Sequence, residues 1–348
     1  MQAVVFRAEG VVETADVPEP SILAPTDAIV RVVRAGICGS DLHFFHGKAP
    51  MDPGAVMGHE AVGLVEEVGP GVTSLHPGDR VVTSFHIACG ACWFCRTGQS
   101  GLCEEHAILG GGPFGGDLAG TQAQFVRVPI ADVNLLSVPA AVDDERALFV
   151  GDVATTGAYA ASLAALGPGD VVAVVGGGPV GLCTAMALLA DGPAAVYVVD
   201  RDATRLELAA SIGATPIDIT AANPEMVLSR LTEGRGADVV IDAVGAPDAY
   251  LASLEMVRRG GRVVIVGMYA AETVELQLGV VWVRGLDLRF AGETPVHALW
   301  AGTMAAVAAG RIDPLPLVSH RLPLDRAAEG YAAFDRRAAT KVVLDPWA

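Results

Sequence analysis

The sequence predicts an α/β chain of two domains, one strand-dominated and one built on a doubly wound parallel sheet. Three observations carry this. The chain has 348 residues, beyond the roughly 250 to 300 at which a single core stops growing. Up to about residue 135 it consists of short Val-rich runs broken by Gly, Pro and Asp. After an Ala-rich stretch, strands begin to alternate with helices.

Taken in order, "DAIVRVVRAGI", "AVGLVEEVG", "DRVVTSF" and "QAQFVRVP" read as strands bounded by turn residues. "ERALFVGDVATTGAYAASLAAL" reads as helix. "DVVAVVG", "AVYVVD", "ADVVIDAVG", "GRVVIVG" and "LDLRFAG" are the next strands, with helical "PVGLCTAMALLAD", "ATRLELAASIG" and "PDAYLASLEMVRRG" in the gaps. Continuous apolar strands separated by amphipathic helices imply a parallel sheet covered on both faces. From about Glu293 the tail is expected to add one helix and a last strand, "TKVVLDP".

Composition narrows the function. Hydrophobic residues make up 52% and charged residues 18%, which suits a compact fold. A net charge of -17 argues against nucleic-acid partners, whose phosphates need Lys and Arg. "MQAVVFRAEG" has no basic segment followed by an apolar stretch, so a cytoplasmic setting is expected. "DVVAVVGGGPVGLCTAMALLADG" approaches membrane-span length, but three successive glycines and Pro179 make it strand, turn and helix, and no membrane association is expected. Four of the six cysteines crowd into one fifteen-residue window, where reducing surroundings favour metal ligation over disulfides.

Gly176, Gly178 and Gly181 have G-x-G-x-x-G spacing between a strand and a helix. The first glycine permits a tight turn, the second lets backbone approach a pyrophosphate, and the third lets helix and strand pack closely. Free N–H groups at the helix start favour the phosphates. Asp200, closing the next strand, can accept two hydrogen bonds from the adenine ribose hydroxyls. A carboxylate there repels a 2'-phosphate and favours NAD over NADP, while Arg201 and Arg205 pull the other way.

Cys89, Cys92, Cys95 and Cys103 follow C-x2-C-x2-C-x7-C spacing on one loop. Four thiolates can enclose a tetrahedral zinc completely, which makes a structural site; an iron–sulfur cluster also takes four cysteines. Cys38 has no local companion. With His59 in "GHEAVG" and one further donor it would make a zinc site with an open position. On spacing alone, a lone Cys and a lone His are more often packing residues.

Together, "GICGSDLHFFHG", "GHEAVGLVEEVGPGV", "PGDRVV", the four-cysteine loop, "GDVATTGAYAA", "VVGGGPVGL" and "KVVLDP" resemble the zinc-dependent alcohol dehydrogenases of the medium-chain dehydrogenase/reductase superfamily, over essentially the whole chain. The resemblance implies a GroES-like catalytic domain from residues 1–152 and 293–348, with a structural zinc lobe at about 86–106. A Rossmann NAD-binding domain would occupy 153–292. It makes Cys38, His59 and Asp152 ligands of a catalytic zinc and Glu60 the carboxylate beside the metal. Asp152 also suits a helix N-cap; as a third ligand it resembles the bacterial secondary-alcohol and formaldehyde dehydrogenase branches.

The same resemblance makes Ser40 and His43 a proton relay, and Asp41 the carboxylate that orients His59. It gives His46 no role. Phe85 and Ile108 become walls of a pocket for a small uncharged alcohol or aldehyde, with Phe45 and Phe114 as further candidates. Besides the three glycines, Asp200, Arg201 and Arg205, the expected NAD contacts are Pro179, Val180, Thr156, Val244, Val266, Gly267 and Met268. Two zinc ions per chain, NAD and a homo-oligomer, dimer or tetramer, follow. Formaldehyde, polyol and threonine dehydrogenases share these motifs. A non-catalytic zinc- and nucleotide-binding homologue would have lost Cys38, His59 or Ser40, and all three are present.

Overall fold

The computed structural model describes every residue except Ala194 and Ala270 to Glu272, and of Phe114 the backbone alone. It divides into two compact units, Met1–Thr155 with Pro295–Ala348, and Thr156–Thr294.

The first unit is organised on the strand Ala28–Ile37, ten residues long and buried at most positions. It sits inside a seven-stranded sheet between Lys341–Asp345 and Ala61–Val68, and Phe125–Val128 also pairs with it. Register sets the site: Ile37 lies opposite Val342 on one side, and Ala35 opposite Ala61 on the other. The strand's end, just before Cys38, is therefore flanked by Lys341 and Glu60, although the three lie far apart in sequence. Val30, Val32, Ile37, Met57, Leu109 and Tyr331 belong to the core beneath.

The second unit holds six parallel strands ordered Thr215–Asp218, Ala195–Asp200, Val171–Val175, Ala237–Asp242, Val257–Ile265 and Asp287–Phe290. Numbered along the chain this is the order 3-2-1-4-5-6, whose reversal between first and fourth strands opens a crevice at their carboxyl ends. Val171–Val175 and Ala237–Asp242 are almost wholly buried, as a sheet covered on both faces requires.

Three details differ from the sequence expectation. The sheet has a sixth strand, Thr215–Asp218, whose Pro216 disguises it; an edge position tolerates the missing N–H. The tail has two helices, Val296–Ala308 and Ala327–Asp335, and two strands, Val318–Pro323 and Lys341–Asp345, rather than one of each, because the charged and Pro-bearing "SHRLPLDRAAEGY" hides the second pair. The Ala-rich helix is two helices, Asp144–Val150 and Val153–Ala164, bent by 46° at a break. Asp152 sits in that break.

Candidate active site and metal centres

Three segments converge at the end of the long strand. Cys38 follows it, His59 precedes the strand Ala61–Val68, and Asp152 occupies the helix break. The break is fixed by packing: a Cβ on Gly151 would stand 2.1 Å from the Thr83 carbonyl oxygen. Asp152 Oδ2 lies 3.5 Å from Cys38 Sγ and 3.3 Å from His59 Nε2. Ser40 Oγ is 3.3 Å from the same Nε2. Tetrahedral zinc with ordinary bond lengths would separate an S,O pair by about 3.5 Å and an N,O pair by about 3.3 Å. The donor set fits such an ion.

Electrostatics agree. His59 and Asp152 are buried, at 5% and 8% exposure, and Glu60 at 1%. Burial raises the Cys38 thiol above its usual range, and Asp152 and Glu60 add to the rise. Burial also pushes Glu60 up to about 7, opposed by Lys341. Burial alone would lower His59, but Asp41 and Asp152 carry it well above the usual imidazole value. Asp152 is held at about 2, burial being outweighed by the His59 hydrogen bond and charge. A buried thiol and three carboxylates thus crowd one imidazole and one ammonium, and among the described residues no donor reaches Glu60 Oε1. Such a set calls for a further cation.

Lys341 was invisible to motif reasoning. Its ammonium pairs with Glu60 Oε2, both side chains are fully buried, and its Nζ stands 5.5 Å from the centroid of the Phe149 ring. The available signal was a lysine inside the apolar run "TKVVLDP". Asp41 Oδ1 lies 3.1 Å from His59 Nδ1, which leaves Nε2 facing Cys38 and Asp152. His43 is half-buried on the short helix Asp41–Phe45 that Ser40 opens. His46 pairs with Asp335 at 2.8 Å.

The four lobe cysteines are unbridged thiols whose sulfurs lie within 4.8 Å of one another. Cys89 and Cys95 are 4.0 Å apart, Cys92 and Cys103 3.9 Å, against about 3.8 Å for thiolates sharing one zinc. Backbone N–H groups of Cys89 and Glu105 donate to Cys103 Sγ, and those of Ala91 and Cys92 to Cys89 Sγ. Hydrogen bonds hold Cys92 at about 6, and burial lifts Cys95 to about 12.

In the second unit, Gly176 adopts φ +97° between strand and helix, and a Cβ on Gly181 would stand 1.9 Å from the Gly176 carbonyl. Gly178 is open: among the described residues, the Arg205 guanidinium alone comes within 4 Å of its hypothetical Cβ. Pro179 and Val180 begin the helix Pro179–Asp191. The Asp200 carboxylate accepts from the backbone N–H of Gly177 at 2.6 Å, Arg201 at 2.6 Å and Asp202 at 3.0 Å. Of about four acceptor positions on a carboxylate, one is left for a ligand. Arg205 Nη1 is 3.9 Å from Asp200 Oδ2. Val244 and Met268 are exposed, Val266 and Gly267 half-buried, and Thr156 Oγ1 accepts from Thr294 Oγ1 at 3.0 Å.

The Phe85 ring lies edge-on to His59, centroids 6.3 Å apart, and Ile108 pairs with His86 in a two-stranded ladder. Phe45 belongs to the core instead, stacked on Tyr331 at 5.4 Å; the Phe114 side chain lies outside the described residues. Behind the Phe85 wall, His86 packs against His106 and His297. Burial lowers His86 well below its usual value and His297 to about 4.

Residues 24–140 match the alcohol dehydrogenase GroES-like domain family, and residues 179–297 the zinc-binding dehydrogenase family. The alcohol dehydrogenase TADH from Thermus sp. ATN1 is 45% identical, with TM-score 0.95 over 99% of both chains. A relative from Mycobacterium tuberculosis, whose name describes a zinc-binding alcohol dehydrogenase, is 39% identical across 98% of this chain and 87% of its own. A zinc-binding dehydrogenase from Sinorhizobium meliloti 1021, solved with NADP, is 30% identical, with TM-score 0.87 over 99% of both chains.

Proposed function

The chain belongs to the zinc-dependent alcohol dehydrogenases of the medium-chain dehydrogenase/reductase superfamily, and from that premise we propose that it interconverts a small uncharged alcohol and its carbonyl, using NAD and two zinc ions per chain. The observation that carries this is the convergence of Cys38 Sγ, His59 Nε2 and Asp152 Oδ2 beside Ser40 Oγ. These three residues would hold zinc with one position open to substrate, while Cys89, Cys92, Cys95 and Cys103 would close around a second ion.

When bound, the open-site zinc supplies Lewis acidity that makes an alcohol's proton easier to lose. Ser40 Oγ accepts that proton as it gives up its own, and His43 hands the relayed proton to solvent, a task an imidazole nitrogen can perform. Asp41 holds the His59 ring with Nε2 toward the donor set. Glu60, paired with Lys341, sets a carboxylate beside the three donors. Phe85 and Ile108 exclude water from the reacting carbon.

The nicotinamide of a bound NAD supplies the hydride acceptor. Gly176, Gly178 and Gly181 let the backbone approach the pyrophosphate at the start of the helix Pro179–Asp191. Asp200 takes one ribose hydroxyl on its remaining acceptor position, and Thr156, Val244, Val266, Gly267 and Met268 line the rest. NAD is preferred because the Asp200 carboxylate repels a 2'-phosphate, with Arg201 and Arg205 moderating the preference. The proposed domain bounds, 1–152 with 293–348 and 153–292, differ by two or three residues from the compact units Met1–Thr155 with Pro295–Ala348 and Thr156–Thr294. The proposed setting is cytoplasmic and the proposed assembly a homo-oligomer, the latter supported by Trp282 and Val283 on the helix Leu278–Arg284 and Phe290 on the edge strand Asp287–Phe290, exposed at 83%, 71% and 69%.

Metal analysis of purified protein, with initial rates for NAD and NADP on primary, secondary and polyol substrates, tests this. Two zincs per chain and faster NAD reduction are expected. A single zinc, or an NADP preference, would overturn the corresponding assignment.

A further inference from the structure

A buried hydrogen-bond chain runs from His59 away from the reacting side and ends on the C-terminal part of the sequence. His59 Nδ1 meets Asp41 Oδ1 at 3.1 Å. The other oxygen, Asp41 Oδ2, accepts from the Cys38 backbone N–H at 2.9 Å and from Gln122 Nε2 at 3.2 Å. Gln122 Nε2 also donates to the Gly36 carbonyl at 2.9 Å, and its Oε1 accepts from the Tyr331 hydroxyl at 2.9 Å. Asp41 is 1% exposed; Gln122 and Tyr331 are fully buried.

The orientation of the Gln122 amide is determined. Turning it over would aim Oε1 at the Gly36 carbonyl and the Asp41 carboxylate, two acceptors, and leave Asp41 with one donor fewer in a dry site. Tyr331 holds the amide the right way by donating to Oε1. It is itself fixed by stacking on Phe45, in the helix that Asp41 begins. Gln122 also packs against the chain entering His59: Gly58 has φ +88°, and a Cβ there would lie 2.4 Å from Gln122 Cγ. One side chain therefore touches both the backbone that delivers His59 and the carboxylate that orients its ring.

Resting on the zinc assignment above, we infer that Gln122 and Tyr331 are positioning residues of the open metal site. They hold Asp41, and through it His59, in the orientation that aims Nε2 at Cys38 and Asp152. Partners one shell beyond a ligating histidine change metal affinity by about 10- to 100-fold. Gln122, touching Asp41 directly, should reach the lower end of that range, and Tyr331, one bond further out, should fall below it.

The test uses the full, zinc-loaded chain and a chromophoric chelator that reports zinc release in time. Wild-type protein should release zinc in two phases, one per site. Gln122→Leu should speed the open-site phase by about tenfold, and Tyr331→Phe, which keeps the stacked ring and removes only the hydroxyl, by about threefold. The four-cysteine phase should stay at its wild-type rate in both variants, while the unfolding temperature of the metal-stripped protein should fall modestly, because each substitution leaves buried hydrogen-bonding groups unpaired. The inference is overturned if neither variant changes the open-site phase, or if the four-cysteine phase quickens along with it, which is the mark of a merely structural role. A wild-type protein with a single release phase would instead overturn the two-zinc reading itself, and the inference with it.

Discussion

The four-cysteine lobe and the Cys38, His59 and Asp152 set, two of the clusters able to hold a metal ion, are built in opposite ways. The lobe takes all four donors from one loop, Cys89 to Cys103, and its own backbone N–H groups donate to the sulfurs. It is also poorly covered, with Trp93 and Leu102 exposed at 56% and 53%. The open set draws Cys38, His59 and Asp152 from three segments, each fixed by the sheet or by a buried helix break. A local site of the first kind needs its ion to hold the loop together, since metal binding there is folding energy. A site of the second kind is held by the fold, so its donors keep their places when the ion leaves. On the proposed assignment, one ion would serve structure and the other would be free to serve chemistry.

The sharpest way to break that comparison is to remove one donor from each site. Asp152→Ala should lower kcat/KM on the order of a thousandfold, the loss of several kcal/mol of Lewis-acid stabilisation, while the protein stays folded and keeps its lobe zinc. Cys103→Ser should do the reverse, lowering the unfolding temperature while the remaining folded molecules keep their open-site zinc and turnover. Steady-state kinetics and metal counts on both variants decide it. Equal loss of activity in folded Cys103→Ser protein would mean that the sites are not separable.

The same contrast explains what could be read from sequence. The four cysteines and the glycine turn at Gly176 to Gly181 are local patterns, where spacing alone implies geometry. Cys38, His59 and Asp152 are each ambiguous alone, because a Cys, a His and a helix-start Asp all have ordinary structural uses; the residues suggested Cys38 with His59, and only the resemblance added Asp152. The Lys341–Glu60 pair, 281 positions apart, depends on strand register that no local signal encodes. Asp200 was legible as an acceptor, but not that three backbone N–H groups would occupy most of it. Pro216 argued against a strand that exists because it lies at an edge.

Lys341 offers the next test, since a site held by the fold should weaken the fold when its buried charge balance is broken. Lys341→Met leaves Glu60 buried without its cation. Breaking such a pair costs about 3 to 5 kcal/mol. The lower end is expected, because Glu60, already pushed up to about 7, can take up a proton and go neutral. Urea unfolding at pH 7 should show a clear fall in midpoint, and an unchanged midpoint would remove Lys341 from the account.

A smaller effect is expected where the open site meets solvent. His43→Ala should slow turnover by about tenfold, below the usual range for general acid–base groups because water can partly replace the ring. An added amine buffer should restore part of the rate. Restoration equal in wild type and variant would place the proton exit elsewhere.

The smallest effect belongs on the lobe side, where the short helix Ala131–Asn134 lies under Gly90. Asp132 there receives four hydrogen bonds from the backbone and hydroxyl groups of Thr73 and Ser74. Slight burial works against its charge, but the Ser74 and Thr73 bonds prevail and hold it at about 2, against about 3.9 for an unfolded Asp. A depressed folded pKa means that the ionised form stabilises the fold. That contribution is complete above about pH 4 and is lost as the pH falls through about 2. Because Asp132 is exposed, the contribution is screened and should stay below about 1 kcal/mol. Asp132→Asn should therefore be slightly less stable than wild type at pH 7, and the gap should close as the pH approaches 2. Unfolding curves at both ends of that window would show it, and a gap that stays constant would mean that hydrogen-bond geometry, not charge, is what Asp132 contributes.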